Sequence, residues 1–174
     1  ALPDAVFVVA ADGRIVFVNA QAVALFGYDR DELVGKPIEL LVPEAVRSVH
    51  PQHRARYFDS PQVRPMGAGL DLSGRRADGT EFPAEISLSA IETADGRLVT
   101  AVVRDVTERR KTQTMFQGLL EAAPDAMVGV DSHGLIRLVN TQTERLFGYD
   151  RTQLLGRHIE ILVPARAREV HPRH

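Results

Sequence analysis

Leu25-Phe26-Gly27-Tyr28-Asp29-Arg30 is the stretch that decides how this chain is organised, because it returns unchanged as Leu146-Phe147-Gly148-Tyr149-Asp150-Arg151. Other stretches return at the same offset: Leu41-Val42-Pro43 as Leu162-Val163-Pro164, and His50-Pro51-Gln52-His53 as His171-Pro172-Arg173-His174. About half of the aligned positions are identical without gaps, including polar and glycine positions, which shared helix or strand periodicity cannot produce. The chain therefore holds a duplicated domain, and we expect the second copy to stop near the middle of its pattern.

Composition narrows the class of protein. The 174 residues are 44% hydrophobic and 25% charged with a formal net charge of −2, which is typical of an ordinary globular chain. No basic run indicates a nucleic-acid or anionic-membrane partner, and no apolar run is long enough to cross a bilayer. Cysteine is absent, which excludes disulfides, thiolate metal sites and cysteine nucleophiles. We therefore expect a cytoplasmic chain.

The first copy predicts an α+β domain. Two β-rich runs around the Asp12-Gly13 turn predict a hairpin, and Asn19 then stands where a helix N-cap is expected. From about residue 43 to 59 the pattern predicts one longer helix, with Pro51 in its first turn or kinking it. An alternating strand over Phe82–Ala90 and an apolar run over Leu98–Val103 belong to three later strands.

A polar helix is predicted after Asp105. It carries an apolar stripe at Met115, Phe116, Leu119 and Ala123, and Pro124 marks its end. Packing on its own domain and pairing with a partner helix in a dimer remain equal interpretations, because about two heptads do not establish a coiled coil.

Several local motifs in this arrangement resemble the PAS sensory family. They are Ile15-Val16-Phe17-Val18-Asn19, Leu25-Phe26-Gly27-Tyr28, Glu32-Leu33-Val34-Gly35, Arg76-Ala77-Asp78-Gly79-Thr80 and Val103-Arg104-Asp105-Val106-Thr107-Glu108-Arg109. The resemblance implies a PAS fold, a five-stranded antiparallel sheet with short helices on one face. It also implies a complete PAS domain at 1–106, a linker or signalling helix at 107–123 and the N-terminal half of a second PAS domain at 124–174.

Within that family the first copy looks most like the haem-binding oxygen sensors of the FixL type. The resemblance implies that His50 would ligate the iron of haem b, as its only metal role, and that Arg56 would lie near a haem propionate. Apolar residues at Ile86 and Leu88 would line the distal side. A distal arginine of those sensors falls at Leu70, which donates no hydrogen bond, so we expect carbon monoxide or nitric oxide to be favoured relative to oxygen.

Other interpretations of the same residues stay open. His50 can also be interpreted as a partly exposed polar residue of a cofactor-free domain, or as half of a divalent-metal pair with His53, although two histidines without a third ligand make a weak site. A non-covalent flavin needs no cysteine, although no residue set argues for it. An empty or lipid-filled cavity also fits the apolar strand faces.

Three classes of function follow. The first is a sensory or signal-relay module of a bacterial-type, two-component-like protein. Such a module couples a cavity ligand or a dimer rearrangement to an output helix. The haem-based gas sensor that uses His50 is one form of it. The second is a ligand-free dimerisation module. The third, an enzyme, has no support, since no nucleophile–base pair or phosphate loop is present, and a histidine kinase or cyclic-nucleotide output is expected elsewhere in the parent chain.

Half a PAS domain would expose apolar side chains that the missing half would otherwise bury. We expect Val128, Val130, Ile136, Leu138 and Phe147 to be largely uncovered. The expected partner is a second copy of the chain, in a homodimer with an exchanged or shared second half. The other expected partner is the output domain of the parent chain, with no nucleic acid and no membrane.

Overall fold

A computed structural model describes residues 4–63, 65–66, 69–94 and 96–164. The chain divides into two compact units, Ala1–Arg109 and Arg110–His174. The repeated His171–His174 and the outer ends of the predicted PAS copies (residues 1–3 and 165–174) lie outside the described residues, and the domain boundaries stay a prediction.

The first unit is the predicted five-stranded antiparallel sheet, in the order β2-β1-β5-β4-β3. Its strands are β1 (Ala5–Ala10), β2 (Ile15–Val18), β3 (Leu72–Arg75), β4 (Glu81–Thr93) and β5 (Gly96–Asp105). Its helices are α1 (Ala20–Phe26), α2 (Arg30–Leu33), α3 (Glu44–Arg47) and α4 (His50–Asp59), with a 3-10 helix at Ile38–Leu41.

The core lies between one face of this sheet and the short helices. Along β1 every second side chain is buried, as period-2 alternation requires. Phe7 and Val9 of that face pack with Phe26, Leu33 and other apolar side chains of the helical segments. The predicted hairpin is confirmed, and so is the N-cap, because Asn19 Oδ1 accepts a 2.9 Å hydrogen bond from the Ala22 backbone N–H.

The predicted single helix over residues 43–59 is wrong. It is two helices, α3 and α4, separated at Ser48 and Val49. Proline lacks an N–H and its ring collides with the carbonyl four residues earlier in a continuous helix. Pro51 therefore lies in the first turn of a new helix, which was one of the two alternatives for it.

The predicted polar helix is present as α5 (Thr107–Ala122). From Arg110 on, this helix belongs to the second unit. The other elements of that unit are β6 (Val128–Val130), β7 (Ile136–Val139), α6 (Thr141–Phe147), α7 (Arg151–Leu154) and a 3-10 helix at Ile159–Leu162. This order repeats that of the first unit from β1 to its 3-10 helix.

The expectation of an uncovered apolar face in the second unit is partly wrong. Ile136 is fully buried, because Leu154 and the 3-10 helix pack onto the β6–β7 hairpin. Val128 and Leu138 are half-buried. Val130 and Phe147 are exposed, as expected.

Candidate functional site

His50 is the first residue of α4 and is joined to a carboxylate that the sequence did not single out. Its Nδ1 lies 3.0 Å from Glu39 Oε1, and the same oxygen accepts a 3.1 Å hydrogen bond from Arg54 Nε. Arg54 Nη1 also donates to the Ala11 carbonyl at 3.0 Å. We call His50, Glu39 and Arg54 the α4 cluster, and it ties α4 to the 3-10 helix and to the β1–β2 turn.

The charge state of Glu39 follows from its surroundings. Burial raises the pKa of this carboxyl, but hydrogen bonds from His50, from its own backbone N–H and from Arg54 outweigh burial, so the pKa lies below its ordinary value. Glu39 is therefore a carboxylate at neutral pH and can only accept hydrogen bonds. The proton in its bond to His50 must then sit on Nδ1, and in the neutral ring this leaves Nε2 with its lone pair.

Gly13 lets the β1–β2 turn approach this cluster. Its φ is +88°, and a Cβ there would lie 2.3 Å from Arg54 Cζ. A side chain at this position would thus be strained and would displace the guanidinium. The Asp12-Gly13 turn, predicted only as a hairpin signal, also forms one wall of the α4 cluster.

The other predicted site residues are distributed over α4, the segment before β3, and β4. Ile86 and Leu88 lie on β4 two residues apart, are half-buried and pack against the core. Arg56 is exposed on α4, and Leu70 is 54% exposed. The hydrogen bond of His50 goes to Glu39 rather than to another member of the predicted set.

The donor set fits haem b, the cofactor implied by the resemblance. His50 offers Nε2 as a neutral imidazole ligand with its other nitrogen held by a carboxylate, the arrangement common at metal-bound histidines. Ile86 and Leu88 offer apolar surface, and Arg56 offers an accessible guanidinium suited to a carboxylate. Leu70 offers no hydrogen-bond donor. In the part of the chain that the structure describes, no group of three His, Cys, Asp or Glu side chains forms a metal site with His50 and His53.

A second arrangement of side chains joins the core of the first unit to the start of α5. Asp105 Oδ1 accepts hydrogen bonds from the Thr107 backbone N–H at 2.8 Å and from its hydroxyl at 2.5 Å. Its other oxygen accepts a 2.7 Å bond from Arg76 Nη2. The Arg76 guanidinium lies 4.1 Å from the centre of the Phe82 ring, within range of a cation–π interaction.

Phe82 belongs to the centre of the core. Its ring meets that of Phe26 edge-on at 5.4 Å between centroids, and Phe26 meets Phe7 at 5.3 Å. A Cβ on Gly74 of β3 would lie only 2.6 Å from the Phe82 ring. We call Phe82, Arg76 and Asp105 the core-to-helix junction, because its three residues connect the aromatic core to the first residue of α5.

The last turn of α5 is fixed within the second unit. Glu121 Oε2 accepts hydrogen bonds from the Thr141 backbone N–H at 2.9 Å and hydroxyl at 2.7 Å, and Oε1 accepts one from Arg151. The Thr141 hydroxyl and backbone N–H and then Arg151 lower the pKa of Glu121 to about 2. The fully buried Asn140 donates from Nδ2 to the Leu120 carbonyl at 3.1 Å.

The repeat makes part of this contact specific to the second copy. Thr141 stands at the position of Ala20 in the first copy, and Ala20 has no side-chain hydroxyl to donate. Asn140 and Arg151 do have counterparts in the first copy, Asn19 and Arg30, and the Asn19 amide donates to the Asp4 carbonyl. Over the described ranges, no helix has the length and apolar character required to cross a membrane.

Comparison with known proteins gives a consistent family. A model of the PAS domain matches residues 3–108, and a model of the PAS fold matches residues 114–173. The chain is 34% identical to the sensor protein FixL of Bradyrhizobium diazoefficiens, over 68% of this chain and 23% of that protein. It is 25% identical to the oxygen sensor protein DosP of Escherichia coli, over 86% of this chain and 19% of that protein. The chain thus spans less than a quarter of each relative.

Solved structures agree on the fold. A PAS domain from Desulfitobacterium hafniense superposes with a TM-score of 0.53 at 19% identity, over 60% of this chain and 94% of that domain. A PAS domain from Colwellia psychrerythraea gives the same TM-score at 20% identity, over 62% of this chain and 90% of that domain. At these identities the likeness concerns the fold alone.

Proposed function

The chain belongs to the PAS domain family, with two PAS copies in tandem, and we propose that it is the sensory and signal-relay module of a larger signal-transduction protein. In this proposal a change in the core of the first unit, caused by a ligand or by a dimer rearrangement, alters the start of α5. The observation that carries it is the core-to-helix junction, in which Arg76 contacts Phe82 and Asp105 at once.

The junction suits a relay because its contacts link the core to α5 and are individually weak, so that a change in the core can alter them. The Arg76 and Asp105 side chains are about a quarter exposed, so their charge-assisted bond contributes about 1 kcal/mol after solvent screening. Asp105 also holds the first N–H of α5, a group that has no partner within the helix. Displacing Phe82 would therefore weaken the start of α5.

Hydrogen exchange on the full chain tests the relay. Arg76→Gln removes the ion pair, and we expect the amides of Thr107 and the following turn to exchange about fivefold faster, the equivalent of about 1 kcal/mol. Arg137→Gln is the matched control, because Arg137 forms an ion pair with Asp131 in the second unit. Equal exchange of the Thr107 amide in both variants and the wild type would contradict the relay.

The function of the rest of the parent protein belongs to the same proposal. Relatives include a histidine kinase of Brucella ovis, of which the chain spans 10%. We place catalysis, of a histidine-kinase or cyclic-nucleotide type, in output domains other than these two PAS copies. We also propose a cytoplasmic location, because a chain without cysteine carries no mark of an oxidising compartment.

A homodimer is the proposed form of the relay. The stripe of Met115, Phe116 and Leu119 on α5 is more than half exposed. Side chains at this spacing pack well against a second helix, so we propose that α5 pairs with its copy and that the second half-domains share or exchange strands. Phe116→Glu should shift the mass measured by light scattering toward the monomer, whereas Gln117→Glu should not. A wild-type chain that is monomeric at high concentration would refute the dimer.

A haem-based gas sensor is the second candidate, and the hydrogen bond from His50 to Glu39 favours it because Nε2 stays available. Haem b, when bound, supplies an iron that takes a diatomic gas. Ile86 and Leu88 would face the gas side and Arg56 a propionate, while Leu70 would favour carbon monoxide or nitric oxide over oxygen.

An absorption spectrum with added haem tests this candidate. We expect a Soret band that is lost in His50→Ala and kept in His53→Ala, because His53 is exposed on the same helix. The same band in all three proteins, or no band in the wild type, would leave the relay without haem.

A further inference from the structure

We propose that Glu39 is a positioning residue for His50: it holds the ring in the tautomer with the proton on Nδ1 and so presents Nε2 as a ligand. The role of Nε2 as a ligand rests on the haem-based gas sensor proposed above. The tautomer itself is a property of the protein alone and is measured without haem.

The position of the Glu39 carboxylate is fixed by the 3-10 helix that carries it and by Arg54. The Glu39 side chain is 11% exposed and lies in the 3-10 helix whose Leu41 is part of the core. Arg54, with a side chain 18% exposed, binds the same Oε1 that His50 contacts. A carboxylate this enclosed cannot swing into solvent without leaving the mostly buried Arg54 guanidinium with no carboxylate beside it, which is costly.

Arg54 in turn is held by the backbone. Its Nη1 donates to the Ala11 carbonyl, and its guanidinium packs against Gly13 so closely that no side chain fits there. Glu39 therefore has a rigid support that reaches from α4 to the β1–β2 turn. Such support is what makes a carboxylate able to orient a neighbouring ring rather than follow it.

The geometry then selects one ring nitrogen. Nδ1 is 3.0 Å from an ionised oxygen that can only accept, so the neutral ring carries its proton on Nδ1. The hydrogen bond also limits rotation of the ring about its χ2 angle. Loss of a carboxylate partner of this kind typically weakens metal binding about 10–100-fold, and we expect haem affinity to fall by that factor without Glu39.

Nitrogen-15 NMR of the full 174-residue chain, labelled at histidine and recorded at pH 8 without haem, tests the tautomer. His50→Ala assigns the His50 signals. We expect the Nδ1–H form in the wild type and in Glu44→Gln, a control that removes one exposed acidic charge nearby. In Glu39→Leu we expect a mixture dominated by the Nε2–H form that the free histidine side chain prefers.

A second variant covers the case in which Glu39→Leu fails to fold. Arg54→Gln keeps Glu39 but removes its support, and we expect an intermediate mixture of tautomers with the signals of His133 and His158 unchanged. An Nε2–H form in the wild type overturns the proposal. So does a tautomer that is the same with and without Glu39 in folded protein.

Haem titration of the same proteins separates this proposal from the haem candidate. An Nδ1–H ring that depends on Glu39, in a chain that binds no haem, supports the positioning role and removes the gas sensor. Haem binding through His50 with equal affinity in the wild type and Glu39→Leu overturns the positioning role and keeps the gas sensor. A 10–100-fold loss in Glu39→Leu and none in Glu44→Gln supports both.

Discussion

Phe26 and Phe147 occupy the same position in the two PAS copies, yet the structure predicts very different costs for removing them. Phe26 is 2% exposed and contacts the rings of Phe7 and Phe82 edge-on. Phe147 is 39% exposed. The second unit has the smaller Val128 at the position of Phe7.

The magnitudes follow from burial. Truncating a fully buried phenylalanine costs about 3–5 kcal/mol, since the lost transfer free energy is joined by a cavity and two aromatic contacts. A phenylalanine with more than a third of its surface in water has already lost much of that gain, and no closed cavity forms when it is cut back. We therefore expect about 4 kcal/mol for Phe26→Ala and about 1 kcal/mol for Phe147→Ala.

Native-state hydrogen exchange on the full chain measures both costs, because amides of β1 and β5 report the first unit and amides of β7 the second. If Phe26→Ala unfolds the first unit outright, the pair Phe26→Leu and Phe147→Leu keeps the comparison, with costs in the same order. Similar losses of stability for the substitutions at Phe26 and Phe147 would refute the reasoning. They would mean that Phe147 is covered in solution as Phe26 is here.

Three further predictions follow from contacts described above. Gly74→Ala should destabilise the first unit by about 1–3 kcal/mol in chemical denaturation, because the new methyl group collides with Phe82; a neutral result would show that the ring has room to move. Gly118→Ala should stabilise α5 by about 0.5–1 kcal/mol, since nothing lies within 4 Å of the added Cβ. The pKa of Glu121 in the folded chain is about 2, below its ordinary value of 4.5. Its hydrogen bonds with Thr141 and Arg151 should therefore be intact above pH 4.5 and be lost as the pH falls toward 2. Amide exchange in α6 should follow this change in the wild type and not in Glu121→Gln, and an identical pH profile would contradict it.

The sequence predicted the fold because its signals are local. The Asp12-Gly13 turn, the Asn19 cap and the alternation along β4 each follow from backbone or side-chain preferences over a few residues. The exact repeat then extended the same prediction to the second unit. The helix over residues 43–59 failed because apolar spacing carries no information on where a continuous helix breaks, and Pro51 permitted two outcomes.

The candidate site was only partly predictable. His50 was found through a family motif, but Glu39 lies 11 residues before His50 and 15 residues before Arg54, and no local period links residues at those separations. Likewise, nothing in the sequence places Arg76 over the Phe82 ring while it binds Asp105. Ile136 was expected to be exposed, and its burial follows from packing by segments about twenty residues later.

The most direct test of the relay is whether Phe82 reaches α5 through Asp105. Hydrogen exchange of the Thr107 amide would be measured for Phe82→Leu alone, Asp105→Asn alone and both together, each relative to amides of β1. The account predicts that Phe82→Leu makes the Thr107 amide exchange severalfold faster when residue 105 is Asp. In the Asp105→Asn background, adding Phe82→Leu should cause little further change. An equal acceleration in both backgrounds would contradict the account, because the core would then affect the helix without the junction.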